Sequence, residues 1–274
     1  MVERPNVWYV YGIVPATVAL AHAPAGIDDA SVECLGDEDL VAVVSRLQGD
    51  EYAPEAIERS TAEMDWLAPR AVAHDRVLTW ASDRGPVVPL PMFSLFSSDS
   101  AIRAMLREQE HKLRAALERA SEGREYALRV YRLDDELRTV AAELSPRLAE
   151  LERAAAAATP GQRYLIERKL DAERRTELRA IGARVASDIF LALRPFASDA
   201  VEGRLVARTN SGAENPLVLD AAFLIAEEQL EDFRRELTAL VAQHGARGFR
   251  FDFTGPWPPY HFIQTSVDSR ANDA

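Results

Sequence analysis

The chain has 274 residues, 47% of them hydrophobic and 28% charged, and a formal net charge of −12. That balance fits one large or two ordinary globular domains with a real core, and the acidic surplus excludes a general binder of nucleic-acid backbones. A single cysteine, Cys34, excludes an intramolecular disulfide and a Cys-rich metal centre, and no run reaches the ~20 apolar residues of a membrane span.

Trp8-Tyr9-Val10-Tyr11-Gly12-Ile13-Val14 is aromatic and β-branched and stops at Pro15, which predicts a strand. The apolar stretch to Ala21-His22-Ala23 has a small-x-small end, but Glu3 cancels Arg4, so a strand and turn suit it better than a secretion leader. Ser31–Leu35 and Leu40–Leu47 are further strands, joined through Gly36-Asp37-Glu38-Asp39 as a hairpin. Cys34 is expected there as a small, half-buried strand residue. Pro54 opens a helical stretch that Pro69 should end or kink, and a second run carries Val72, Val77, Leu78 and Ala81. Val87 to Phe93 is extended, with Pro89 and Pro91 confining it to an edge or strand end. Ser97 to Ser100 offer N-caps for an amphipathic helix through Ile102, Met105, Leu106, Leu113 and Leu117, which Gly123 closes.

Tyr126 to Leu133 alternates as a half-buried strand does. Asp134-Asp135-Glu136 then suits a helix start, where negative charge meets the macrodipole. Leu137, Leu144, Leu148 and Leu151 form one helical seam, Thr159-Pro160-Gly161 breaks it, and a second helix runs through Leu170, Leu178, Ile181, Val185 and Ile189. The pair predicts a helical hairpin projecting from a sheet. The Arg168-Lys169 and Arg174-Arg175 clusters are expected to be solvated helix faces. Arg204–Thr209 and Val218–Ala226 are strands, Leu230 to Val241 a helix ended by His244-Gly245, and Phe249–Phe253 a strand. From Tyr126 the order is therefore β, long α, β, β, α, β, which is the ferredoxin-like split βαβ arrangement, an antiparallel sheet with its helices on one face.

The fold class expected is α+β in two domains. These are an N-terminal α+β domain over 1–122 and a ferredoxin-like βαββαβ domain over 123–254 with a long helical-hairpin insertion. A tail over 255–274 follows, packing back on the fold with its last residues disordered. Three prolines among Trp257, Tyr260 and Phe262 make that tail stiff, so these three aromatics are the candidates for tail docking or for an interaction surface.

Recognisable chemistry is absent. There is no GxGxxG, no GxxxxGK[ST], no GxSxG and no HExxH, and no two of the five histidines stand four apart. His74-Asp75 invites a metal-phosphohydrolase reading, but a helix histidine bonding a neighbour suffices. No catalytic residue, cofactor-binding residue or metal ligand is assigned.

Four segments together resemble the gas vesicle F/L protein family. They are Tyr9-Val10-Tyr11-Gly12-Ile13, Val87-Val88-Pro89-Leu90 after the His74 helix, Gly161 with Tyr164-Leu165 and Arg168-Lys169-Leu170, and Gly255-Pro256-Trp257-Pro258-Pro259-Tyr260 with Phe262. Family members follow the Pro-Leu pair with Arg-Phe-Gly, whereas this chain reads Pro91-Met92-Phe93-Ser94. The resemblance implies an N-terminal α+β domain, a ferredoxin-like C-terminal domain and no enzyme activity, metal or cofactor. It also implies a cytoplasmic, vesicle-associated accessory or minor structural protein. The implied partners are the hydrophobic gas vesicle wall protein and other accessory proteins, with no nucleic acid and no membrane. A ferredoxin-like small-molecule sensor is the alternative, and a pocket with converging polar groups would distinguish it.

Overall fold

A computed structural model describes residues 6–19, 21–203 and 215–263. It is a mixed α+β structure with two sheets and falls into two compact units, one running to Glu125 and including the segment from Pro256, the other Tyr126–Gly255.

In the first unit the elements are β1 (Val7–Pro15), β2 (Val32–Gly36), β3 (Leu40–Leu47), α1 (Pro54–Ser60), α2 (Met64–Ser82), β4 (Val88–Pro89), β5 (Leu95–Phe96), α3 (Asp99–Glu108) and α4 (Glu110–Ser121). The strands lie in the order β2-β3-β1-β4, with β5 also on β1. The strand β1 is nearly all apolar because both faces of the sheet are covered. Trp8, Val10 and Ile13 join a core with Ile102, Leu106, Leu113 and Leu117 of α3 and α4. Tyr9, Tyr11 and Val14 join another with Val77, Leu78 and Ala81 of α2.

The side-chain parity of β1 changes partway, and a bulge is the cause. Val10 pairs with Val44 but Gly12 pairs with the next residue, Val43, leaving Tyr11 as the extra residue. Strict alternation would put Ile13 with Tyr9 and Tyr11; the bulge sends it to the opposite face. Gly12 is required beside it, since a Cβ there would lie 2.7 Å from the Val88 carbonyl oxygen.

Several expectations need correction here. The helix break falls at residues 61–63, before Met64, and α2 runs straight through Pro69. Pro69 is only the sixth residue of α2, so its missing N–H deprives a carbonyl of the first turn alone. The single helix expected through Ile102 to Leu117 is two, because the chain leaves helical geometry at Gln109 (φ −107°, ψ 9°). Cys34 is exposed, because β2 is the outermost strand.

The second unit contains β6 (Arg124–Arg132, which starts just before the division), α5 (Asp134–Leu144), α6 (Pro146–Ala157), α7 (Pro160–Leu193), β7 (Asp199–Glu202), β8 (Leu217–Ile225), α8 (Leu230–His244) and β9 (Phe249–Trp257). Its sheet has the order β7-β8-β6-β9, with β7 and β8 antiparallel. The strand expected at Arg204–Thr209 and the disorder expected at the chain end lie outside the described residues. The insertion has three helices where two were expected. Ser145 ends α5 and caps α6, its Oγ accepting from the Leu148 N–H at 3.2 Å, and Pro146 occupies the first helical position. The helices α6 and α7 run antiparallel: Arg147 near the start of α6 pairs with Glu173 at 2.8 Å, and Arg163 near the start of α7 donates to the Ala155 carbonyl at 3.1 Å.

The 34 residues of α7 make a rod of roughly 51 Å. Its C-terminal half packs Leu178, Ile181, Val185 and Ile189 into a core with Phe223 and Phe233. Each such side chain contributes about 1.5–3 kcal/mol by leaving water. Gly248 starts β9 from a left-handed turn (φ 86°), where a Cβ would meet the Leu137 nitrogen at 2.6 Å.

Candidate functional site

The C-terminal segment is a clamp on the first unit. After β9 ends at Trp257, Pro258 and Pro259 are buried, and the chain turns back with the Tyr260 N–H donating to the Pro258 carbonyl at 2.8 Å. Ile263 enters the core beside Trp8, Phe96 and Ile102. Between these anchors, Glu125 holds His261 twice: its carboxylate accepts from the backbone N–H at 2.9 Å and from the ring Nδ1 at 2.6 Å. Glu125 is 2% exposed, so the clamp depends on a buried carboxylate whose described partners lie in the segment itself.

The three aromatics singled out in the sequence are divided by this geometry. Trp257 is 36% exposed and Tyr260 is 39% exposed, while Phe262 is half-buried. They sit on successive points of a stiff strap. Burial of its hydroxyl end, followed by the charges of Asp75 and Glu125, holds the Tyr260 phenol above its ordinary range. The anchors that fix the strap, Glu125, His261 and Ile263, were not candidates. Alternation along β6 puts Glu125 on the face opposite Tyr126 and Leu128, where its partner is supplied by the strap.

His74 belongs to a different arrangement in the same unit. It is buried on α2, its Nδ1 lies 2.7 Å from the Tyr9 hydroxyl, and a backbone hydrogen bond with Leu90 engages the ring as well. The Tyr9 oxygen also accepts from the Phe93 N–H at 3.2 Å. Burial pushes the imidazole down to about 4, so it is neutral at pH 7, and burial pushes the Tyr9 phenol up. Tyr11 repeats the pattern, donating to Ser45 Oγ at 3.0 Å and accepting from the Ile27 N–H at 2.9 Å. His74 and Tyr9 thus satisfy one another inside the core, and Ser45 and Ile27 satisfy Tyr11. Partial burial raises the carboxyl of the neighbouring Asp75.

This network braces the segment where the sequence departs from Arg-Phe-Gly. Phe93 in this segment adopts a left-handed φ of 64°. That conformation costs roughly 1–2 kcal/mol in a residue with a Cβ. The Phe93 ring offsets it by stacking on Trp66 (centroids 5.5 Å apart, planes 20° apart) and by meeting Tyr9 edge-on.

Among the described residues no group of three or more His, Cys, Asp or Glu could hold a metal ion. No helix among them is long and apolar enough to cross a membrane.

Comparison with known proteins gives a consistent result. Gas vesicle protein L of Streptomyces sp. (strain CB03234) is 28% identical over 259 residues, covering 93% of this chain and 91% of the relative. Gas vesicle protein L2 of Halobacterium salinarum is 27% identical over 274 residues, covering 97% of this chain and 94% of the relative. Among solved structures, the gas vesicle protein GvpF from Anabaena sp. PCC7120 shares the fold. Its TM-score is 0.66 at 17% identity, with 96% of this chain and 98% of that one covered. The sequence profile of the family described as gas vesicle synthesis protein GvpL/GvpF matches residues 7–264, and the chain belongs to that family, whose role lies in gas vesicle formation.

Proposed function

We propose that this chain is a non-catalytic accessory protein of gas vesicle assembly. It binds the small hydrophobic wall protein and other accessory proteins, in the cytoplasm and on the vesicle, and uses no cofactor. The observation that carries this reading is the family match across residues 7–264. A wall subunit that associates through apolar strands is aggregation-prone before assembly, and a partner offering rigid apolar contact masks it. Trp257 and Tyr260, partly exposed on a strap anchored at both ends, supply such contact at low entropic cost.

The sheet order β7-β8-β6-β9, with helices after β6 and β8, supports reading the second unit as a ferredoxin-like βαββαβ domain with α5–α7 inserted. The strap then belongs to the N-terminal α+β domain.

The test is co-expression with the wall protein followed by capture on a tag carried by this chain. The wild type should retain the wall protein or another accessory protein, and Trp257→Ala with Tyr260→Ala should weaken retention about tenfold. Equal retention by the double variant removes the strap from the binding surface. Failure of the wild type to retain any vesicle protein overturns the reading.

A further inference from the structure

The free end of the α6–α7 pair presents large apolar side chains to solvent. None of residues 159–169 is buried, and a Cβ added at Gly161 would meet nothing within 4 Å. Tyr164 is 61% exposed and Leu165 is 67% exposed, and the Tyr164 hydroxyl makes no hydrogen bond among the described residues. Charge marks the same place. From 153 to 169 the only charged residues are Arg153, Arg163, Arg168, Lys169 and Glu167, a basic patch on a chain of net charge −12. Arg163 donates to the Ala155 carbonyl and Lys169 lies 3.9 Å from Glu173, while Arg168 has no ion pair among the described residues.

The first unit carries the complementary surface. Met64, at the start of α2, is 69% exposed, and Val72 two turns on is 65% exposed. Residues 50–65 hold six acidic side chains against Arg59 alone. Glu58, Glu63 and Asp65, all exposed, surround Met64 in sequence.

From these two faces we infer that the α6–α7 tip of one copy docks on the α1–α2 face of a second copy. Tyr164 and Leu165 cover Met64, and Arg168 and Lys169 face Glu63 and Asp65. The two patches are different parts of the same chain, so each contact pairs a tip with a face, and copies either add one to the next or close as a reciprocal pair in which each gives a tip and a face. Small apolar patches ringed by opposite charge predict a weak, salt-sensitive contact, with a dissociation constant on the order of micromolar. Such association is independent of whether the wall protein is a client.

Sedimentation velocity of the full chain over a concentration series tests it, at roughly 0.1 M and roughly 1 M salt, where the screening length falls from about 10 Å to about 3 Å. The wild type should associate with rising concentration at low salt and dissociate at high salt. Tyr164→Ser with Arg168→Glu, and separately Met64→Ser with Asp65→Lys, should each weaken association at least about tenfold. All four positions are exposed, and circular dichroism checks that the variants fold. Mixing the two variants should restore a dimer and nothing larger, because one retains an intact tip and the other an intact acidic face. A wild type that stays monomeric overturns the inference. So does association that persists at high salt, that ignores either variant, or that is not restored on mixing, even if the tip then captures a different acidic protein.

Discussion

Burial of His74 makes a pH response predictable. The unfolded imidazole takes up its proton near its ordinary 6.5, the folded one only at about 4. Between those values the unfolded state holds the extra proton, so stability falls as pH drops through that window and is fully present above it. The expected loss from this group is on the order of 3 kcal/mol. His244 in the second unit, lowered first by burial and then by the charge of Arg247, adds an effect of the same sign. The contribution of His74 is therefore the difference between wild type and His74→Gln in urea unfolding at stepped pH. The variant should show a shallower slope between about pH 6.5 and 4. Equal slopes would mean that the folded protein already binds a proton at His74.

Among the elements, the helical insertion turns on one hydroxyl. Ser145 is buried where α5 meets α6, and its Oγ both accepts from Leu148 and donates to Glu177 on α7 at 2.6 Å. One side chain thus caps one helix and fastens it to another. Ser145→Ala removes the cap and leaves Glu177 without its described partner, and should cost about 2 kcal/mol in urea unfolding. A loss under about 0.5 kcal/mol would show that water replaces both bonds. The Ser-Pro pair at 145–146 is itself a helix-start signal, and the leucine seam across it concealed the break. Leu144, Leu148 and Leu151 keep their spacing because α5 and α6 face the same core.

At the scale of the molecule, the strap joins the end of the chain to its first strand. Removing residues 258–274 takes Ile263 out of a core and leaves Glu125 without His261. An emptied apolar site costs about 2–5 kcal/mol, and stripping partners from a buried carboxylate adds to it. All four tryptophans, Trp8, Trp66, Trp80 and Trp257, lie outside Tyr126–Gly255. Tryptophan fluorescence therefore reports the unit that carries the strap, while far-UV dichroism is weighted toward the long helices of the other. Truncation should move the fluorescence transition to lower denaturant by several kcal/mol and the dichroism transition by less. An unmoved fluorescence transition would mean the strap adds nothing to that unit.

The sequence alone determined most of the element order, because apolar periodicity and proline or glycine punctuation act within a few residues. Trp8–Val14, Leu40–Leu47 and Leu230–Val241 were legible for that reason, and so was the family, through four short motifs spread along the chain. Tertiary structure decided what depends on distant neighbours. The bulge at Tyr11 sends Ile13 to the other core because β3 fixes the register. Phe93 tolerates a glycine-like φ because Trp66 and Tyr9 pack on it. Glu125, buried, finds its hydrogen-bond partner in a segment 136 residues later. None of these contacts lies within the reach of a local pattern. Burial and register follow from which elements meet, and only the folded chain brings those elements together.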